Sequence, residues 1–219
     1  MIVGISGKIG SGKDTLAEML RDIMRDKNFE IRKYAAKLKE VVSILTGCGS
    51  SDLESQSFKS IELPEMWAKY RLLDFHRDTG VVYGSKIEAE SCMPRSNSQH
   101  SYTLQREPMT YRSLLQILGT EAIRNNVHPN TWVNALFSGY HGQNWLITDV
   151  RFPNEADAIK AYGGIVVRVN RPGILQSNHP SETMLDDYQF DEIVINDGDL
   201  PALMRKAEDL SRDIIRTMP

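Results

Sequence analysis

The chain has 219 residues, 41% of them hydrophobic and 25% charged, with a formal net charge of −3, which is ordinary composition for a soluble domain with a sizeable core and room for an inserted subdomain. Acidic balance with interspersed signs argues against polymeric nucleic acid as a partner, which would call for a basic stripe, and no apolar run reaches membrane-spanning length. Two cysteines, Cys48 and Cys92, lack metal-type spacing, and Met1 runs straight into an apolar segment with no signal-type leader, so a soluble cytoplasmic protein is expected.

Residues 1–6 form a short apolar run ending in Ser-Gly and predict a buried central strand. The following helix, about 13–27, puts Leu16, Met19, Leu20, Ile23 and Met24 on one face. Glu30 to Tyr34 alternate like a strand, and Lys37 to Leu45 predict a helix with Leu38, Val41, Val42 and Leu45 inward, stopped by Gly47. Periodicity then loosens from Gly49 to Pro108. A helix is expected around Pro64 to Phe75, and the polar stretch after Gly84 reads as a loosely structured insertion with room for a short hairpin.

Order returns at "TYRSLLQILGTEAIRNN", a helix carrying Leu114, Leu115, Ile117 and Leu118 and interrupted at Gly119. "HPNTWVNALFSGY" predicts another, with Pro129 near its start. "NWLITDV" (144–150), "GGIVVRVNRPG" (163–173) and "DEIVIND" (191–197) predict strands, separated by a helix from Asn154 to Tyr162 and a polar loop from Ile174 to Gln189. Leu200 to Met218 predict a closing amphipathic helix. Strands alternating with helices imply an α/β fold: a three-layer sandwich around a largely parallel sheet.

The pattern Gly7-x-x-x-x-Gly12-Lys13 follows a strand and opens a helix, the context a phosphate-binding loop requires. Glycines such as Gly7, Gly10 and Gly12, with Ser11 among them, let successive backbone N–H groups converge on phosphate oxygens. The helix N-terminus adds partial positive charge, and Lys13 reaches toward the β- and γ-phosphates. Asp14 stands where such loops carry a hydroxyl, which here comes one residue later on Thr15. Either Asp14 holds metal-bound water beside the polyphosphate while Thr15 bonds a phosphate oxygen, or it is a favourable acidic residue in a first helical turn.

Asp149 lies at the end of the "WLITDV" strand and Arg151 follows two residues later, beyond the carboxyl ends of the strands, where ligands bind in open α/β folds. Asp149 is the natural second acidic group for magnesium, with Arg151 as a phosphate clamp; an Asp149–Arg151 ion pair is the plainer alternative. Arg112 and Gln116 share a helical face and could read a phosphate and a base edge, or form a polar outer face. Of Arg168 and Arg171, Arg171 is better placed to be delivered by a closing flap, since Arg168 could be held within its strand. His179 and Glu182 equally suit capping and solvation. Asn196-Asp197-Gly198 is a turn signal at a strand end, where a base could stack.

"SGKIGSGKDT" (6–15), "YRSLLQILGTEAIRNN" (111–126) with Trp132 downstream, "ITDVRFPNE" (147–155), "VVRVNRPG" (166–173) and "INDGDL" (195–200) resemble the phage-type deoxynucleoside monophosphate kinases of the P-loop kinase fold. The Lys-Asp-Thr loop is typical of that group. The resemblance implies a single P-loop kinase domain over 1–219, with an acceptor-binding insertion at about 50–108 and a lid at about 172–190. It further implies transfer of the ATP γ-phosphoryl to a deoxynucleoside monophosphate, with Mg²⁺, in DNA precursor supply within the cytoplasm (a host's, if phage-encoded). Lys13, Asp14, Asp149, Arg151 and Arg171 would serve catalysis, and Asp14, Thr15 and Asp149 the metal, through water. Arg112, Gln116, Trp132 and Arg151 would bind the acceptor, and Asn196, Asp197 and Gly198 would line the adenine pocket. A homodimer is a further implication. Rival readings are another small-molecule P-loop kinase, of phosphomevalonate or dephospho-coenzyme A type, and a nucleotide-dependent switch.

Overall fold

A computed structural model of the chain describes residues 1–74, 79–94, 101–174 and 183–218. Parts of the expected insertion, and residues 175–182 of the expected lid with His179 and Glu182, lie outside the described residues. The chain divides into two compact units, Met1–Lys37 with Asn126–Pro219 and Leu38–Asn125.

The first unit is built on five strands: β1 (Ile2–Ser6), β2 (Glu30–Arg32), β6 (Trp145–Val150), β7 (Ile165–Asn170) and β8 (Glu192–Ile195). Their order is β2-β6-β1-β7-β8, and every pairing is parallel. The inner strands β1, β6 and β7 are near-continuous apolar runs because helices cover both faces of the sheet. Successive residues feed opposite layers. Val3, Ile5, Leu146, Val167 and Val169 pack against Leu16, Leu20, Leu203, Leu210 and Ile214 of α1 (Lys13–Ile23) and α9 (Leu200–Thr217). Ile2, Trp145, Ile147 and Val166 join Val133, Phe137, Ala156 and Ile159 of α7 (Thr131–Phe137) and α8 (Pro153–Ala161). Gly4 permits the close approach of α8: a Cβ there would stand 2.5 Å from Ile159 Cδ1. The three-layer α/β arrangement with its parallel sheet is thus the architecture the sequence implied.

The second unit carries an antiparallel sheet in the order β4-β3-β5, from β3 (Lys69–Asp74), β4 (Thr79–Tyr83) and β5 (Tyr102–Glu107). The helix expected at 64–75 is absent: a 3₁₀ turn at Glu65–Trp67 leads into β3 instead. The reason is alternation. Tyr70 and Leu72 are buried two residues apart, and Leu104 of β5 sits directly opposite Leu72. The stretch after Gly84 also holds more structure than expected, with α4 (Lys86–Ser91) burying Ala89 against Tyr70.

Helices α2 (Ala35–Thr46) and α3 (Gln56–Lys59) precede that sheet. On α2, Leu38 and Val42 join the apolar cluster of the second unit, whereas Leu45, expected inward, is exposed because the inward stripe ends one turn earlier. After β5 comes α5 (Tyr111–Gln116), opened by a Thr110–Ser113 capping box, and then the interruption foreseen at Gly119. It is a π-helical turn, Ile117–Ala122, before α6 (Ile123–Asn126). A Cβ on Gly119 would meet Leu38 Cδ2 at 2.8 Å, so glycine lets the widened turn lie against α2. Among the described residues no helix is long and apolar enough to cross a membrane.

Candidate active site

The loop between β1 and α1 has the backbone of an anion cradle. Gly10 and Gly12 adopt φ of +82° and +89°, the left-handed region that glycine enters without steric cost. Gly12 is the N-cap of α1 and supplies no side-chain cap, so the first amides of the helix keep their donors for an anion. Space around the loop is graded. A Cβ on Gly10 would meet nothing within 4 Å, whereas one on Gly7 would stand 2.4 Å from Ser11 Oγ and 2.9 Å from the Val169 carbonyl. Ser11 is buried, and its hydroxyl has no hydrogen-bond partner among the described residues. Lys13 is buried at the first position of the helix.

Asn196 supports this loop from beneath. Its Nδ2 donates to the Ser11 carbonyl at 2.8 Å and lies 2.5 Å from where a Gly12 Cβ would be. Its own amide donates to the Asn170 carbonyl at 2.7 Å, fixing the end of β8 to the end of β7. The neighbours differ: Asp197 pairs with Lys206 at 2.6 Å, and Gly198 lies against Ala202 at the start of α9.

Asp14 gathers cations. Lys13 Nζ stands 3.4 Å from Oδ2, Lys33 Nζ 3.3 Å from Oδ1, and the buried Thr148 hydroxyl donates to Oδ1 at 3.1 Å. Desolvation pushes the Asp14 carboxyl up, but Lys13, Lys33 and Thr148 together outweigh it and hold it below the usual carboxylate range. The Asp14 carboxylate is therefore exposed, ionised and already partnered.

Asp149 uses both oxygens on backbone. Oδ1 accepts from the Tyr34 amide at 2.8 Å and Oδ2 from the Ala35 amide at 2.9 Å, so it caps the start of α2. Burial pushes its carboxyl up, opposed by those two amides and by the charges of Arg151 and Lys33. Arg151 is fixed through its main chain, because buried Glu155 accepts from the Arg151 and Phe152 amides at 2.9 and 3.1 Å. Glu155 is the third residue of α8, with Pro153 at the first, so its carboxylate satisfies the amide of the N-cap residue Phe152.

At the end of β7 the two arginines differ in burial. Arg168 is buried. It donates to Ser6 Oγ at 3.0 Å and Asp186 Oδ1 at 2.9 Å, with its guanidinium over the Phe190 ring. Lys8 reaches the other oxygen of Asp186 at 3.4 Å. Arg171 lies beyond the strand and is exposed. Trp132, on α7, is buried. In the second unit, Arg112 donates to Gln56 Oε1 at 2.9 Å, and Gln116, one turn on, is exposed.

The first unit thus brings the loop from Gly7 to Thr15 together with Asp149, Asn196 and three groups the sequence did not single out: Lys33, Thr148 and Asp186. Thr148 had a signal, being one residue before Asp149 on a strand of known direction. Lys33 and Asp186 had none, since each matters only through partners 18 or more residues away. Converging amides, a buried ammonium and an ionised carboxylate make a site for a polyphosphate with its counter-cation.

A sequence profile described as deoxynucleotide monophosphate kinase matches residues 79–207. A deoxynucleoside-5′-monophosphate kinase of Escherichia phage T5 is 25% identical over 229 residues, covering 91% of this chain and 90% of that protein. A putative deoxynucleotide monophosphate kinase of Acanthamoeba polyphaga mimivirus is 36% identical over 103 residues, 39% of this chain and 52% of that one. The deoxynucleotide monophosphate kinase of Enterobacteria phage T4 is 35% identical over 104 residues, 43% of this chain and 42% of its own length. Matched by the profile over more than half its length, this chain belongs to the deoxynucleotide monophosphate kinase family.

Proposed function

We propose that the protein transfers the γ-phosphoryl group of ATP to a deoxynucleoside 5′-monophosphate, giving ADP and a deoxynucleoside diphosphate for DNA synthesis. The observation that carries this reading is the cradle itself: Gly10 and Gly12 in left-handed conformations, an uncapped α1 N-terminus and buried Lys13. The orphaned hydroxyl of Ser11 and the open space above Gly10 fit a triphosphate tail.

Phosphoryl transfer needs alignment and charge neutralisation more than covalent help from the protein. Loop amides and Lys13 hold the β- and γ-phosphates; Arg151 and Arg171 offset negative charge on the group in transit. Arg112, Gln116, Trp132 and Arg151 bind the acceptor, Arg112 gripping its phosphate and Gln116 meeting its base. Asp197 and Gly198 line the adenine side, and Asn196 keeps the loop in shape.

Magnesium fits the donor set. Asp14 is ionised and exposed, Thr15 offers a hydroxyl, and Asp149 keeps lone pairs for a bound water beyond its two backbone contacts. Among the described residues no group of three or more acidic, histidine or cysteine side chains forms a ready metal cage. These residues would therefore hold the ion chiefly through water and phosphate. When bound, it would neutralise phosphate charge. Segments 50–108 and 172–190 serve in this reading as acceptor-binding region and lid.

The test is ADP release with ATP and each of the four deoxynucleoside monophosphates and their ribose counterparts, with products separated by chromatography. Consumption of ATP should appear only when an acceptor is added. Consumption independent of any acceptor would refute the reading.

A further inference from the structure

Lys33 follows β2 at the carboxyl edge of the parallel sheet, and no motif of the sequence drew attention to it. Its backbone position is fixed, because the next two amides, Tyr34 and Ala35, are both held by Asp149. Its ammonium lies 3.3 Å from Asp14 Oδ1, the same oxygen that accepts the Thr148 hydroxyl, while Lys13 faces Oδ2. Its charge also acts on Asp149, together with that of Arg151. One flexible cation is therefore paired with Asp14, on a backbone whose next two amides are held by Asp149.

Such an arrangement is stable only while no stronger cation competes. A divalent ion arriving with the nucleotide makes the ammonium redundant at the carboxylates, and the same event brings a polyanion within the loop. Lysine suits an exchange of partners: it is a point charge on a flexible four-carbon stem, without the planar fork that would commit it to one carboxylate. We propose that Lys33 is an exchangeable counter-ion, paired with Asp14 in the empty site and passing to the phosphates when the divalent ion takes that carboxylate. The proposal rests on the nucleotide-binding reading above. A static ion pair would instead only stabilise the fold.

The two ideas differ in binding measured without turnover. In the nucleotide-free full chain, Mn²⁺ affinity is read by electron paramagnetic resonance, and tripolyphosphate affinity by calorimetry with Mg²⁺ in excess. Lys33→Met should bind Mn²⁺ about three-fold or more tightly, since the competing ammonium is gone. It should bind tripolyphosphate about ten-fold more weakly, having lost a charge-assisted contact. Lys33→Arg should restore much of the polyphosphate affinity, and Lys33→Gln repeats the comparison should the methionine variant fold poorly. Unchanged or weaker Mn²⁺ binding in the neutral variants, or unchanged tripolyphosphate binding, would overturn the proposal. If the wild-type chain bound no tripolyphosphate, the nucleotide reading itself would fall, and Lys33 with it.

Discussion

Asn196 Nδ2 donates to the Ser11 carbonyl across 2.8 Å, joining the last strand of the sheet to a loop 185 residues earlier in the chain. The contact is buried, so removing the carboxamide leaves the Ser11 oxygen without its partner. Asn196→Ala should cost about 1–3 kcal/mol of stability. It should also raise the KM for ATP while leaving that for the acceptor unchanged. Chemical denaturation and steady-state kinetics check both, and an unaltered KM for ATP would remove Asn196 from the support of the loop.

Gly12→Ala tests the same contact from the other side. A side chain there meets Asn196 Nδ2 at 2.5 Å and must hold φ near +89°, which L residues rarely adopt. ATP binding by calorimetry should be lost. Lys13→Met should lower kcat by about 100-fold or more in a folded protein, since a donor aimed at the transferring group is gone. Retained turnover would count against the whole scheme.

The cradle was legible because it is local: strand, glycine loop, lysine and helix follow one another within twenty residues. The parallel sheet was legible too, as runs such as "WLITDV" declare burial on both faces. What escaped was set by tertiary pairing. The stretch around Pro64 to Phe75 reads as helix, and only the facing residues of β5, such as Leu104 opposite Leu72 and Thr103 opposite Leu73, make its second half a strand. Lys33 and Asp186 are ordinary surface letters until folding sets them beside Asp14 and Lys8.

Arg168 and Arg171 should separate cleanly. Arg168→Ala removes a buried guanidinium from Ser6 and Asp186 and should cost about 2 kcal/mol of stability. Arg171→Ala, at an exposed position, should leave the melting temperature within about 2 °C and lower kcat. The opposite pattern would exchange their assigned roles.

In the second unit, Arg112→Ala should raise the acceptor KM about ten-fold, the scale of a charge-assisted hydrogen bond, with little effect on ATP. Gln56→Ala frees the Arg112 fork from its 2.9 Å contact and should shift the same parameter in a milder way. An acceptor KM untouched by Arg112→Ala would dismiss its role.

Asp14 gives a pH signature. Its carboxyl is held below the usual range when folded, so the stability it contributes is present above the unfolded value and lost as pH falls through the folded one. The stability difference between wild type and Asp14→Asn should therefore be largest near neutrality and vanish in acid. A difference that persisted with the carboxyl protonated would mean that the surrounding cations are not its source.

The π turn at Ile117–Ala122 makes this part of the chain sensitive to length rather than to composition. A π turn accommodates one residue more than the regular helix on either side of it. Deleting a single position there would let α5 and α6 merge into one unbroken rod. The residues of α6 would then swing by about 100° around the axis relative to those of α5. A chain that gains or loses one residue in this stretch should therefore be disturbed more than one with a point substitution nearby.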